Sequence, residues 1–436
     1  RESPWAPGFM PLTRLLVRIL AAIAILAVAA IAVLWLGART GFARRMAGDW
    51  IGEATGLPAS VESLRVGFLP RPYAIVGGLA VAQPPGFDAS SLIDVGEARV
   101  AVSWSSLFGA TDVTSLSVAD AVVRPMKTAD GADNWSALIS QLSELGGEGA
   151  SDWSIGKLEF ERGAIEFQDL ATGSQWRLTA ITIAAEDIAP AVAFPLELRL
   201  AVVAGPNTFH FAVTGQGVAD PDAGHYAAND LNFRGWAGGE PLPLAGIEML
   251  GAAEIAFYDS ATGVGAIPRG TFNVAGIPGE FMTRSQPDDP DAQLVFSVKT
   301  DSFAPRPTAI AFGFPLPATA DPKAYESLQV SFEGRSAAGL LRLEPIAGQL
   351  DDSQFNGRVV PAERLIRAEI DRIDLNRYLP PGQQRAKEKK ATLETFVERL
   401  GEFDIDAEIR VGEARVAGAM LRDSVIRVER NAAPAQ

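Results

Sequence analysis

Cysteine is absent from the 436-residue chain, which removes disulfides, thiolate metal sites and cysteine nucleophiles together. The compartment stays open on that ground, because a cysteine-free chain suits an oxidising space as well as a reducing one. Histidine is nearly absent too. His210 and His225 are the only two, and neither has a second ligand or a serine-and-acid pattern at useful spacing for zinc or a hydrolytic triad. His210 stands between Phe209 and Phe211, so on a strand its ring points away from theirs, as a structural or solvated histidine would. No HExxH, GxSxG or P-loop occurs. Gly215-Gln216-Gly217 reads as a turn, since Asp220 stands where a dinucleotide fingerprint needs its third small residue. Basic residues are outnumbered 38 to 53, for a net charge of −15, which disfavours a phosphate-binding surface and hence a nucleic-acid partner. Asp220, Asp222 and Gly224 resemble part of a calcium loop, as do Asp288, Asp289 and Asp291. Both lack the downstream bidentate glutamate and read as turns. No two carboxylates pair as acid and base, so the expectation is a non-enzyme without cofactor or metal.

What the chain does have is apolar residues, at 47% against 21% charged, with 42 glycines and 29 prolines; this composition suits short strands joined by turns. Beyond Leu57 apolar and polar residues alternate with the period of a strand that buries one face. The pattern runs through Leu196, Leu198, Leu200 and Val202; Phe209, Phe211 and Val213; Leu294, Phe296 and Val298; Val330 and Phe332; and Leu341 and Leu343. It continues in Ile366, Ala368 and Ile370, and in Phe403, Ile405, Ala407, Ile409 and Val411. Leu158-Glu159-Phe160 and Ile165-Glu166-Phe167 read as a short strand pair reversing around Arg162-Gly163. The fold expected is mostly β and antiparallel.

Residues 19–38 form a run of twenty without charge. At about 1.5 Å per residue it would span roughly 30 Å, the thickness of a hydrocarbon core. Residues 37–40 make a poor signal-peptidase site, so the run reads as a retained anchor. Arg14 and Arg18 precede it while Arg39, Arg44 and Arg45 come after, and this count does not by itself favour export of the downstream domain. Residues before Met10 lack periodicity, making Met10 a candidate natural start. A helix over 42–55 would group Phe42, Met46, Trp50 and Ile51, either as an interfacial collar or as a domain cap. Further helices are expected after Asn134, with Trp135, Leu138, Ile139 and Leu142 at helical spacing, and over 381–402, with Leu393, Phe396, Val397 and Leu400. The resulting plan is a tail (1–11), a transmembrane helix (12–38), a juxtamembrane helix (39–56), a first β module (57–145), a central sheet (151–380), an amphipathic helix or linker (381–402), and terminal strands and tail (403–436).

Taken in order, these features resemble the AsmA family of Gram-negative envelope proteins. The likeness begins with the anchor, residues 61–66 (VESLRV) and 79–87 (LAVAQPPGF), the strands at 93–102 and 116–123, and Asn134-Trp135. It continues at residues 315–319 (PLPAT), 350–353 (LDDS), 373–381 (IDLNRYLPP) and 403–428. These motifs are strand and turn residues, without a catalytic signature. The resemblance implies an inner-membrane anchor with a cytoplasmic N-terminus and a periplasmic domain. It also implies an elongated, curved, chorein-like β-groove whose apolar face holds phospholipid acyl chains, and a role in outer-membrane assembly or phospholipid traffic with envelope proteins as partners. About 20 strands at about 4.8 Å each would give a groove on the order of 90 Å.

The apolar stripes are the only candidate site. Phe160, Phe167, Phe209, Phe211, Phe296 and Phe332 could line a closed sandwich core; the family resemblance implies a lipid groove instead. An envelope scaffold that never carries lipid is the alternative.

Overall fold

Strand formation follows the alternation. A computed structural model describes residues 41–87, 91–108, 111–144, 153–170, 173, 175–221, 223–239, 246–289, 292–337, 340–381, 406–416 and 419–428. The uncharged run 19–38, residues 146–149 between the first β module and the central sheet, residues 382–402 of the helix expected over 381–402, and Phe403 and Ile405 lie outside these residues.

The described residues are mostly strand and belong to two compact units. The first contains α1 (Gly41–Thr55), β1 (Ala59–Gly67), β2 (Tyr73–Val81), β3 (Ile93–Val102), β4 (Thr111–Val123), β5 (Met126–Lys127), α2 (Ser136–Glu144), β6 (Trp153–Asp169), β7 (Gln175–Ile188), β8 (Ala193–Ala204), β9 (Asn207–Asp220) and β10 (His225–Gly239). The strand β11 (Ile247–Asp259) divides between the units. The second unit contains β12 (Gly265–Val274), β13 (Ile277–Ser285), β14 (Leu294–Thr300), α3 (Pro305–Ala311), β15 (Leu328–Ala337), β16 (Leu340–Leu350), β17 (Ser353–Val360), β18 (Leu365–Asp374), α4 (Leu375–Tyr378), β19 (Asp406–Val416) and β20 (Ala419–Val428).

Within each unit most strands pair antiparallel with their sequence neighbours. Two connections break the rule: β4 and β5 run parallel to β6, and β18 runs parallel to β19. The expectation of a purely antiparallel sheet is corrected there. A parallel step needs a crossover rather than a hairpin, and α2 lies in the first of these connections.

Two local readings are also corrected. Leu158 to Phe160 and Ile165 to Phe167 belong to one strand, β6, which does not reverse at Arg162. Arg162 takes φ 53° and the register to β7 shifts on either side of Gly163, so the residues form a bulge. Gly215-Gln216-Gly217 lies inside β9 rather than at a turn. Gly217 pairs with Phe194, and a Cβ there would strike the Phe194 ring.

The bulge in β6 is one member of a row. Core-facing apolar residues shift phase by one residue between Val61 and Val66 in β1, Val76 and Leu79 in β2, Val95 and Ala98 in β3, Val118 and Ala121 in β4, Phe160 and Ile165 in β6, and Leu178 and Ile181 in β7. The pairings Val61↔Leu79, Leu79↔Val95, Val95↔Ala121 and Val118↔Phe160 hold these shifts at one level across the strands. Four strands make the step with a left-handed residue, at Gly78, Asp120, Arg162 and Ala180. The crease keeps both halves of each strand facing the same core while bending the strand between them. Arg162 grips Asp120 across it with two bonds, Nε to Oδ1 at 2.7 Å and Nη2 to Oδ2 at 2.9 Å. The Asp120 carboxyl is held below its ordinary range by Arg162.

The helices close this core. Ile51 and Ala54 of α1 and Leu138 of α2 are buried in it, so α1 acts as a cap on the first unit. Gly56, at φ 68°, ends α1 in the left-handed conformation that only glycine takes without strain. The N-terminus of α2 is capped by Asp133 Oδ1, which accepts from the Ser136 amide at 2.6 Å. Asn134, 1% exposed, ties three segments together. Its Oδ1 accepts from the Met126 amide at 2.8 Å, and its Nδ2 donates to Gln83 Oε1 at 2.7 Å and to the Arg124 carbonyl at 2.9 Å.

Candidate functional site

In the second unit the registers stack apolar side chains into continuous cross-strand rows. One row runs Gly270, Phe281, Val298, Phe332, Ile346, Gly357, Ala368, Ile409 and Ile426, each directly opposite the next. Its neighbour includes Val330, Gly348, Phe355, Ile370 and Val411. Alternation places all of these on one face. Val411 is buried, whereas Phe272, Phe281, Phe296, Val298, Phe332, Ile346, Phe355, Ile370 and Ile409 are only half-buried. The buried apolar clusters found among the described residues belong to the first unit. No such layer covers this face among the described residues.

Four of the rings on the face lie over glycines of the neighbouring strand. Phe281 is directly opposite Gly270, Phe272 opposite Gly279, Phe296 opposite Gly334 and Phe355 opposite Gly348. A Cβ at any of these glycines would collide with the facing ring. Each ring therefore fills the space a missing side chain leaves, the pairing known to rescue glycine in sheets. Phe332 meets Phe296 edge-on, with centroids 6.3 Å apart and planes at 90°. The outcome is a continuous apolar surface.

The six candidate phenylalanines thus separate into two environments. Phe296 and Phe332 sit on the uncovered face. Phe160 is 4% exposed within the core of the first unit. Phe167, Phe209 and Phe211 pack against that core as partly buried neighbours, and Phe167 stacks on Trp176 at 4.9 Å and 16°. Composition and alternation did not single out Phe272, Phe281 and Phe355. The signal for them was present: each phenylalanine is matched by a glycine at the mirror position across a hairpin.

The opposite face of β14 to β20 carries charged and amide side chains interspersed with Ala347 and Val425. It forms a recess of about 860 Å³ whose lining includes Lys299, Gln349, Asn356, Glu369, Arg410 and Asp423. Nearby, Glu408 is held below the ordinary carboxylate range, first by Arg410 and then by Arg427. His210 is exposed with its ring 5.4 Å from that of Trp236, and His225 Nε2 lies 3.8 Å from Asp259 Oδ2. Asp220 and Asp289 accept from the amides three residues on, at 3.0 and 3.1 Å, as turn-forming aspartates do.

One polar node fixes the end of the second unit. Asp351 is 8% exposed and accepts from the amides of Tyr325, Glu326 and Ser327 at 2.9, 2.8 and 3.1 Å, and from the Tyr378 hydroxyl at 2.8 Å. Burial pushes its pKa up, but these four donors outweigh burial and the carboxyl sits below its ordinary value. Burial and the adjacent Asp351 charge push the Tyr378 hydroxyl up. All four donors are consumed in holding this node together.

A scan against protein-family models finds no match for the chain, and a search of curated proteins likewise finds none.

Proposed function

We propose that this protein is an AsmA-like envelope protein, anchored in the inner membrane with its β domain in the periplasm, that binds phospholipid acyl chains along the apolar face of β12 to β20. The observation that carries the reading is the continuous, half-buried row from Phe281 to Ile426, over which no apolar layer packs among the described residues. An apolar surface of this kind must be covered in water, and its continuity across many strands suits flexible hydrocarbon. The polar reverse face lets the same strands remain solvated on their other side.

The reading does not call for catalysis. The contribution to outer-membrane assembly or lipid homeostasis would come from holding or guiding lipid. Phospholipid should co-purify with the full chain from detergent and be measurable by native mass spectrometry. The pair Val298→Gln and Phe332→Gln, which face each other, should lower bound lipid while the circular dichroism spectrum is retained. Ser297→Gln and Ser331→Gln, on the reverse face of the same strands, should leave it unchanged. Equal lipid in both pairs, or none in the parent protein, would favour an envelope scaffold. The exposure of Ile310 in α3 (61%) and Phe314 just after it (56%) is the observation on the side of that second reading.

A further inference from the structure

The first unit carries a second, smaller apolar feature at one end of its sheet. The turn between β1 and β2 presents Leu69, 82% exposed, followed by Pro70 and Arg71. The connection after β3 brings Trp104, 46% exposed, against it. Trp104 Nε1 donates to the Pro70 carbonyl at 3.3 Å, and the Val102 amide donates to the Pro72 carbonyl at 2.9 Å. The two connections therefore form one tip with bulky apolar side chains held outward.

The direction of α1 relates this tip to the chain that precedes it. Arg44 Nη1 donates to the Glu62 carbonyl at 3.0 Å, a Cβ on Gly48 would lie 3.0 Å from the Ala59 carbonyl oxygen, and one on Gly52 would lie 3.2 Å from that of Leu57. So α1 runs antiparallel to β1, and its N-terminus points toward the end of β1 from which Leu69 projects. The uncharged run of residues 19–38 precedes α1 in sequence. Charge is distributed accordingly: Arg44 and Arg45 lie at the tip-facing end of α1, while Asp49 and Glu53 stand toward its other end. Arg65 and Arg71 are exposed near the tip, with Arg65 3.5 Å from Glu97, and Arg99 lies over the Tyr73 ring at 5.4 Å.

From this geometry we infer that Leu69 and Trp104 form a second membrane contact, inserted into the headgroup and upper acyl region of an anionic bilayer beside the anchoring run. Tryptophan suits that depth because its ring is amphipathic, and here the Nε1 proton is already held by the Pro70 carbonyl. Arg44, Arg45, Arg65 and Arg71 supply attraction to anionic lipid at this end of the unit. Two fixed points, rather than one, would then hold the first unit against the membrane surface.

The inference rests on the anchor reading, and the test separates the two. The cysteine-free chain permits a single nitroxide label at Leu69→Cys, with Leu170→Cys, 47% exposed and after the opposite end of β6, as the control. Full-length protein is reconstituted into vesicles of phosphatidylethanolamine and phosphatidylglycerol and floated. The expected result is that both labelled proteins float, and that the label at position 69 loses access to a water-soluble nickel chelate and gains access to oxygen relative to that at 170. Flotation with equal chelate access at both positions would overturn the tip contact and spare the anchor. Failure to float would overturn both. A label at 69 shielded from chelate and oxygen alike would mean a protein contact in place of lipid.

Discussion

Gly334 shows how much of this surface depends on the absence of a side chain. The Phe296 ring occupies the place of its Cβ, so Gly334→Ala must push the ring off the sheet. Overpacking of this kind costs about 1–3 kcal/mol, and a lowered melting temperature should report it. The double variant Gly334→Ala with Phe296→Ala should recover part of the loss, because the collision is gone. Asn134 argues the same point for polar groups: Asn134→Leu leaves the Met126 amide and the Gln83 side chain without their partner in a buried site. A destabilisation of about 1–3 kcal/mol is expected, and chemical denaturation would measure it. Histidine, by contrast, carries no expectation of function at either position.

At the scale of elements, the Asp351 node is expected to respond to acid. Its folded-state pKa lies below the ordinary value of 3.8. Its contribution to stability is therefore complete above that value and is lost as pH falls through the lower folded value. Amide exchange at Tyr325, Glu326 and Ser327 should show the donors protected at neutral pH and released in acid before β15 itself opens. Asp351→Ala should release them at neutral pH, and exchange that stays slow in this variant would contradict the assignment. Strands were largely legible in the sequence: β8, β9, β14, β18 and β19 appear where Leu196 to Val202, Phe209 to Val213, Leu294 to Val298, Ile366 to Ile370 and Ala407 to Val411 alternate. The crease was not legible, because one extra residue at Arg162 breaks the period locally and resembles a turn. Parallel pairing was hidden for a different reason. Alternation marks which face a residue takes and says nothing of the direction of its neighbour.

For the whole molecule, the two units bury their apolar residues to different degrees, and that contrast carries the functional reading. In the first unit Phe160, Val118 and Leu116 are enclosed; in the second, side chains of the same type form a face that no apolar layer covers among the described residues. Phenylalanine content alone could not distinguish a covered face from an uncovered one, which is why Phe160 and Phe332 looked equivalent in sequence. The most direct measurement uses neighbours that point opposite ways on one strand. A fluorophore at Ile346→Cys faces the apolar row, and one at Ala347→Cys faces the polar recess. With phospholipids carrying a quencher on the acyl chain, strong quenching at 346 and little at 347 is predicted. Equal quenching at the two positions, or none at 346, would contradict lipid binding on this face.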